Sequence, residues 1–390
     1  MTNFIGRKRQ IGIGKESTSG TPVSAAAWIP LTKPGFKPVS EKATDDSAYG
    51  NIDEIAEMLT TKNMTEISME AILRDDWLGY LLLGAFGTES VTIRCALGSL
   101  VGSFSVGETV TQATSGATGV VKRYEGSPQD TLYIEVSSGT FTSGSNTITG
   151  GTSGATAIPT YDTGVRAHIF TRLNSNNHPA FTIYKVDDVD TMRAAYCMID
   201  TLDIEVGVPD FSRFMLKAKG KQMASTSATP AYVAANPWLA KHADLYFADT
   251  IIGLDSATAS AISRVKFTIN KNLTDYQAFG DDDVASFHNQ QFGIVGDFDA
   301  IFGSATIRDY MINSTKKAMR LVLINDEVTI GSSSRPELDI ELARVSFQDW
   351  KDSEDNNALV TQTMGFTAEF DADAAYTGLA ILVNDRTTAY

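Results

Sequence analysis

From Val165 onward the chain alternates apolar and polar residues at every second position, segment after segment, and that period admits one kind of backbone. Successive side chains of a strand point to opposite faces, so a period of two marks a half-buried strand. Phe214, Leu216 and Ala218 alternate with Lys217, Lys219 and Lys221 across residues 213–223. Val265, Phe267 and Ile269 repeat the pattern across 264–273, and residues 181–186 and 196–206 read the same way. In the last of these, Met198, Leu202, Ile204 and Val206 share a face. Residues 336–347 start with Leu338, Ile340 and Leu342 inward, then shift phase to Val345 and Phe347. A one-residue slip of that kind is what a β-bulge produces. Short runs at 319–324, 361–370 and 378–383 complete the set. Helices are expected at 75–86, where Asp75 or Asp76 can cap and Gly87 stops the turn; from about Pro237, with Asn236 as cap; and over 304–312. Residues 33–38 read as extended and irregular, and 51–61 as a loop. The fold class is mainly β, an antiparallel β-sandwich or barrel with flanking helices.

A second feature interrupts this. Between residues 98 and 160 the chain turns Gly-, Ser- and Thr-rich and repeats itself. Phe104 with Gly107, Val110 and the run Thr114-Ser-Gly-Ala-Thr118 is matched by Phe141 with Gly144, Ile148 and Thr152-Ser-Gly-Ala-Thr156. The phenylalanines lie 37 positions apart and the five-residue runs 38, so the second copy carries one extra residue. Residues 131–136 alternate as a strand between the copies. Val106, Val110, Val120, Val121, Leu132, Ile134 and Val136 offer a core, which a disordered linker would lack. The expected organisation is therefore residues 1–94 and 161–390 as one β domain, with 95–160 as a small all-β module made by duplication.

Charge and cysteines bound the chemistry. The 390 residues carry 32 Lys and Arg against 47 Asp and Glu, a formal charge of −15. Gripping nucleic acid takes Lys and Arg on phosphates, so this balance argues against a dedicated DNA binder and suits a chain that DNA and anionic membrane do not hold. Cys95 and Cys197 make no disulfide framework, and synthesis in a reducing cytoplasm is the expectation. No apolar run reaches the length of a membrane span. His168, His178, His242 and His288 are not spaced as metal ligands on one helix. Gly12-Ile-Gly14-Lys15 fails as a phosphate loop because Arg9 replaces the first glycine and Glu16 follows the lysine. The acidic run from Asp352 fails the calcium-loop template, with Asn357 and Thr363 where Gly and Glu belong. Asp281–283 reads as a solvated loop. No catalytic, cofactor or metal site is expected. Lys217, Lys219 and Lys221 form the one basic stripe, with Glu337, Asp339 and Glu341 on another strand as natural complements within or between subunits.

The opening Phe4-Ile-Gly-Arg-Lys-Arg-Gln-Ile-Gly-Ile-Gly-Lys-Glu16, then Thr18-Ser-Gly-Thr21 and Asp76-Trp-Leu-Gly-Tyr-Leu-Leu-Leu-Gly-Ala-Phe86, resembles the tail tube, or major tail, proteins of long-tailed bacteriophages. The stretches 265–273, 292–302 and 308–324 are similar to the C-terminal half of that family. The resemblance implies a β-sandwich that polymerises as stacked, usually hexameric rings into a tube. DNA would pass through that tube without tight binding, and tape-measure, terminator and distal tail proteins would be neighbours. By order along the chain, residues 2–13, including Phe4, Arg7, Lys8 and Arg9, correspond to an arm on the neighbouring ring, and 33–62 to a stacking loop. The insert would project outward, and its deletion would leave assembly intact. Such a protein is made in the host cytoplasm and ends in the virion tail. Alternatives are another virion β protein (a contractile-tail tube, terminator or capsid decoration protein) or a secreted carbohydrate-binding protein.

Overall fold

The computed structural model describes residues 5–126, 130–353 and 359–390. Phe4 and most of the acidic run after Asp352 lie outside the described residues. The chain is 53% strand and 7% helix, all pairings between named strands being antiparallel. The first part holds β1 (Gln10–Lys15), β2 (Ala27–Ile29), β3 (Lys33–Asp45), β4 (Glu57–Ile72), α1 (Leu78–Phe86) and β5 (Gly87–Val101). The insert adds β6 (Thr109–Gln112), β7 (Thr118–Glu125), β8 (Thr131–Ser138), β9 (Ile148–Gly150) and β10 (Thr156–Thr160). Then follow β11 (Arg166–Arg172), β12 (Phe181–Val186), β13 (Thr191–Gly207), β14 (Arg213–Gly220), β15 (Ala224–Ser225), β16 (Ala243–Ala248), α2 (Ile251–Leu254) and β17 (Ile262–Asn270). The chain closes with β18 (Thr274–Tyr276), β19 (Ser286–His288), β20 (Gly293–Ile301), α3 (Thr306–Ile312), β21 (Lys317–Ile324), β22 (Glu337–Asp352), β23 (Thr361–Ala368) and β24 (Gly378–Asn384).

One sheet runs β3-β4-β14-β13-β17-β20-β23-β22-β21-β16 and curls until Leu245 of β16 bridges Ser260, just ahead of β17. The alternation read from the sequence is obeyed: Phe214, Leu216, Ala218, Val265, Phe267 and Ile269 are all buried. The phase shift in β22 is a bulge, because Lys317 faces Val345 while Met319 faces Leu342. Two long strands split their length between neighbours. β22 pairs first with β24 and then with β23, and β13 pairs first with β12 and then with β17.

The core is organised around α1. Each of its nine residues is buried, so it is a helix apolar all round and packed on every side. Gly79 and Gly84 are there for room: a Cβ on Gly79 would lie 2.1 Å from the Tyr390 ring, and one on Gly84 would lie 2.4 Å from Ile199. Asp75 does not cap the helix. Its carboxylate instead accepts the main-chain N–H and the side-chain amide of Asn236, both at 2.7 Å. That contact, with the bridge between Arg74 and Pro237, holds 236–237 extended, and the expected helix there is reduced to a single 3-10 turn at Ala240–His242.

The insert is a closed six-stranded barrel, β5-β8-β7-β6-β9-β10 and back to β5, around its own core of Phe104, Val110, Val121, Leu132, Ile134, Phe141 and Ile148. Its duplication is visible as a local two-fold: Thr111 of β6 sits opposite Thr149 of β9, the equivalent residue of the other copy. Reciprocal bonds run from Ala113 N to Thr147 O and from Gly151 N to Thr109 O. Gly116 and Gly154 take matching left-handed conformations, φ 65° and 67°, which is why both Thr-Ser-Gly turns keep a glycine. Closing the barrel removes every edge of a short, Ser/Thr-rich sheet. β5 passes without a break from the main sheet into the barrel.

Candidate functional site

A buried charge cluster joins the barrel to the body. β7 presents Arg123 and Glu125 across the outer face of β22, where Leu338, Ile340 and Leu342 point into the core and Glu337, Asp339 and Glu341 point the other way. Arg123 donates both terminal nitrogens to the Glu341 carboxylate, at 2.9 and 2.6 Å, and its Nε to Glu125 at 3.0 Å. Arg320 of β21 donates to Asp339 at 2.7 Å and to Glu125 at 2.9 Å, and Arg94 of β5 pairs with Glu337 at 2.6 Å. The Tyr376 hydroxyl also donates to Glu341. Glu125, Asp339 and Glu341 are 1% exposed or less. Burial alone would raise Glu341, but Arg123 and the Tyr376 hydroxyl hold it below the usual carboxylate range. Asp339, with one carboxylate oxygen unpartnered among the described residues, is pushed up to about 6 by burial against the pull of Arg320 and Arg123. An Asp162 carboxylate near the exit of the barrel accepts Ser333 N and Ser332 Oγ, both at 3.0 Å, adding a second tie to the body.

This corrects the expected partnership of Lys217, Lys219 and Lys221 with Glu337, Asp339 and Glu341. The acidic strand is buried on both faces and its charges are answered by arginines of the same chain, so these carboxylates cannot meet another copy's lysines. The lysines lie on the open face of the main sheet. Lys219 donates to Leu273 O at 2.9 Å and lies 4.0 Å from Asp275, and Lys221 lies 4.0 Å from Asp283. Neighbouring cations on that face are matched too. Lys33 pairs with Glu70, Lys37 with Glu66, Lys266 with Asp203, and Arg264 with Glu205, Asp297 and Asp299. At the N-terminus, Arg7 and Lys8 stand exposed in the 3-10 turn Gly6–Lys8, Lys8 reaching Asp188 at 2.6 Å, and Arg9 leads exposed into β1.

β3 and β4 form a two-stranded arm over most of the stretch that the resemblance offered as a stacking loop. They pair from Lys33 with Glu70 out to Asp45 with Glu57, so residues 33–38 and 57–61 are regular strand and not irregular chain or loop. At its base Met64, Ile67, Met69 and Ala71 of β4 face the core. The acidic run beside it acts as a brace: Asp282 accepts both Asn63 N and Asn63 Nδ2, and Lys62 pairs with Asp275 at 2.6 Å. The distal half leaves the body, and its tip exposes Tyr49 at 70%, Ile52 at 103% and Met58 at 52%. Among the described residues β3 pairs with β4 alone, which leaves its outer edge open. A long free edge and an apolar tip are features that a soluble monomer avoids and an assembling subunit uses.

Among the described residues no group of three His, Cys, Asp or Glu is placed to hold a metal ion, and no helix is long and apolar enough to cross a membrane. The chain is thus a mainly-β body with a free-edged arm and an accessory barrel docked through buried charges. The chain belongs to the phage tail tube protein family, whose family model matches residues 6–374, nearly its whole length. That family is structural, and the protein is a component of the phage tail. No curated protein matches the chain.

Proposed function

We propose that copies of this chain close into hexameric rings that stack into the tail tube, the conduit for DNA ejection, with the tape-measure, terminator and distal tail proteins as its neighbours. The observation that carries this reading is the β3–β4 arm. A two-stranded hairpin has no core of its own, so apolar residues at its tip are stabilised only by landing on something else. The next ring offers the same surface at every step along a tube. By order along the chain, Arg7, Lys8 and Arg9, with Phe4 before them in the sequence, would be contacts of an N-terminal arm on the neighbouring ring. Residues 95–160 act as an accessory module within a tube domain made of 1–94 and 161–390. Subunits are made and assembled in the host cytoplasm.

The open face of β4, β14, β13, β17 and β20 is the proposed lumen wall. The chain's net charge alone argued only that DNA would not be held. The matched pairs on this face support a wall most of whose cations, Lys217 apart, lie beside a carboxylate, leaving little for phosphate to grip. Negative-stain microscopy of the purified protein tests the assembly directly. Wild type should form tubes, and a variant with Tyr49, Ile52 and Ile55 changed to Ser should keep its melting temperature and yield single rings or monomers. Tubes from that variant, indistinguishable from wild type, would overturn the role given to the arm.

A further inference from the structure

Where α1 ends, the body carries a half-open pocket of about 200 Å³ lined by Arg172, His178, Lys271, Asn289 and Phe292, with a rim of exposed polar residues at 174–176 and Gln290. Three observations set it apart. Lys271 is 1% exposed, yet its ammonium has one hydrogen bond, to Gly84 O near the end of α1 at 2.7 Å. Asn289 has both side-chain amide atoms out of solvent with no hydrogen-bond partner among the described residues. No carboxylate belongs to the lining, in a chain that carries 47 Asp and Glu. Buried amides and ammonium groups left unpaired are expensive, and native proteins satisfy them. The volume holds a group of several heavy atoms, and Lys271, Asn289, Arg172 and the 174–176 turn bring several donors into its lining.

We infer that this cavity binds a small oxyanion of phosphate, sulfate or carboxylate chemistry. An oxyanion accepts from Lys271, Arg172 and Asn289 Nδ2 together, with charge-assisted bonds, and a protonated oxygen such as that of hydrogen phosphate also donates to Asn289 Oδ1. It also completes a line of charge from the negative end of α1 through the ammonium to the anion. Burial lowers Lys271 to about 7 against the opposing pull of Asp200, and the same ammonium adds to the burial that holds His178 down to about 4. A bound anion favours the charged lysine, so affinity should weaken as pH rises above about 7, with His178 neutral throughout and Asp200 and Arg172 the other charged side chains beside the site.

Thermal melts of the full chain with inorganic phosphate, sulfate or acetate, each against sodium chloride at equal ionic strength, test this. The expected result is a saturable rise in melting temperature of about 3 °C at a hundredfold excess over Kd. With sulfate, whose own charge stays fixed, the apparent affinity should fall roughly fivefold between pH 7 and 8. Lys271→Met and, separately, Asn289→Leu, which fills the cavity while keeping the lysine, should each lose at least tenfold in affinity by calorimetric titration. Phosphate against acetate separates the two ligand sources. A rise that chloride reproduces, or one that both variants retain, would mean that the cavity holds water alone and would overturn the assignment.

Discussion

Asp339 carries the least comfortable charge in the cluster, with five carboxylates, counting Asp255, set against three arginines and one of its own oxygens unpartnered. Its folded value, about 6, lies above the ordinary 3.8, so its contribution to stability is full below about pH 4 and lost as pH rises through about 6. Glu125 and Glu341 act in the opposite sense. Their folded values lie below 4.5, and their contribution is lost only as pH falls through those lower values. Asp339→Asn should therefore flatten the decline in stability between pH 4 and 6.5, a difference of about 1–3 kcal/mol, while leaving the acid limb below pH 4 in place. Urea midpoints across that range decide it, and an unchanged slope would assign the decline to another group. At the same scale, Gly84→Ala should reverse the usual helix trend. Alanine in a helix normally gains up to about 1 kcal/mol over glycine, but here the added methyl meets Ile199 and Phe181, and the loss should be about 1–3 kcal/mol. A variant that melts above wild type would show that α1 can shift.

Whether an element was legible in the sequence depended on how it is held. β14, β17 and the bulged β22 could be read because each has one face on the core, which forces a period of two. The outer part of β3 and β4 is exposed on both faces and held by its ladder alone, so no alternation marked it. The helix expected at Pro237 failed because its cap, Asn236, is taken by Asp75 at a separation of 161 residues. The charge cluster was hidden for a similar reason. Glu341 meets Arg123 across 218 residues and Glu337 meets Arg94 across 243, and a strand reading Glu-Leu-Asp-Ile-Glu looks half exposed until a barrel is laid over its polar face. That arrangement also reverses the expectation that the insert can be removed. Deleting about 98–159 takes Arg123 and Glu125 away and leaves Glu341 without its bidentate partner, an uncompensated charge costing about 3–5 kcal/mol if it stays buried. Arg123→Met alone should show a loss of that size. Arg123→Met with Glu341→Gln should recover at least half of it, and a double-mutant cycle on chemical unfolding gives the coupling. Independent, additive losses would mean that the barrel is not held through this pair.

At the scale of the whole molecule, the same chain must let a polyanion slide past a surface that carries lysines and arginines. Charge count alone gives a net repulsion, but a tube wall acts locally, over distances of about a Debye length of 8 Å. What matters is whether each cation on the open sheet face has its own carboxylate close by, as Lys33, Lys37, Arg264 and Lys266 do. The arrangement makes a sharp prediction once tubes are in hand. Changing Glu66 and Glu70 to Gln and Asp203 to Asn removes partners of Lys37, Lys33, Arg213 and Lys266 without touching the apolar face beneath. If this face lines the lumen, wild-type tubes should bind DNA weakly at physiological salt. The triple variant should retain it, with log K falling against log salt at a slope of about −3 as three to four phosphates are neutralised. Fluorescence anisotropy of labelled duplex across a salt series measures that slope. Equal, weak binding by both sets of tubes would place this face away from the DNA and return the lumen to another sheet of the subunit.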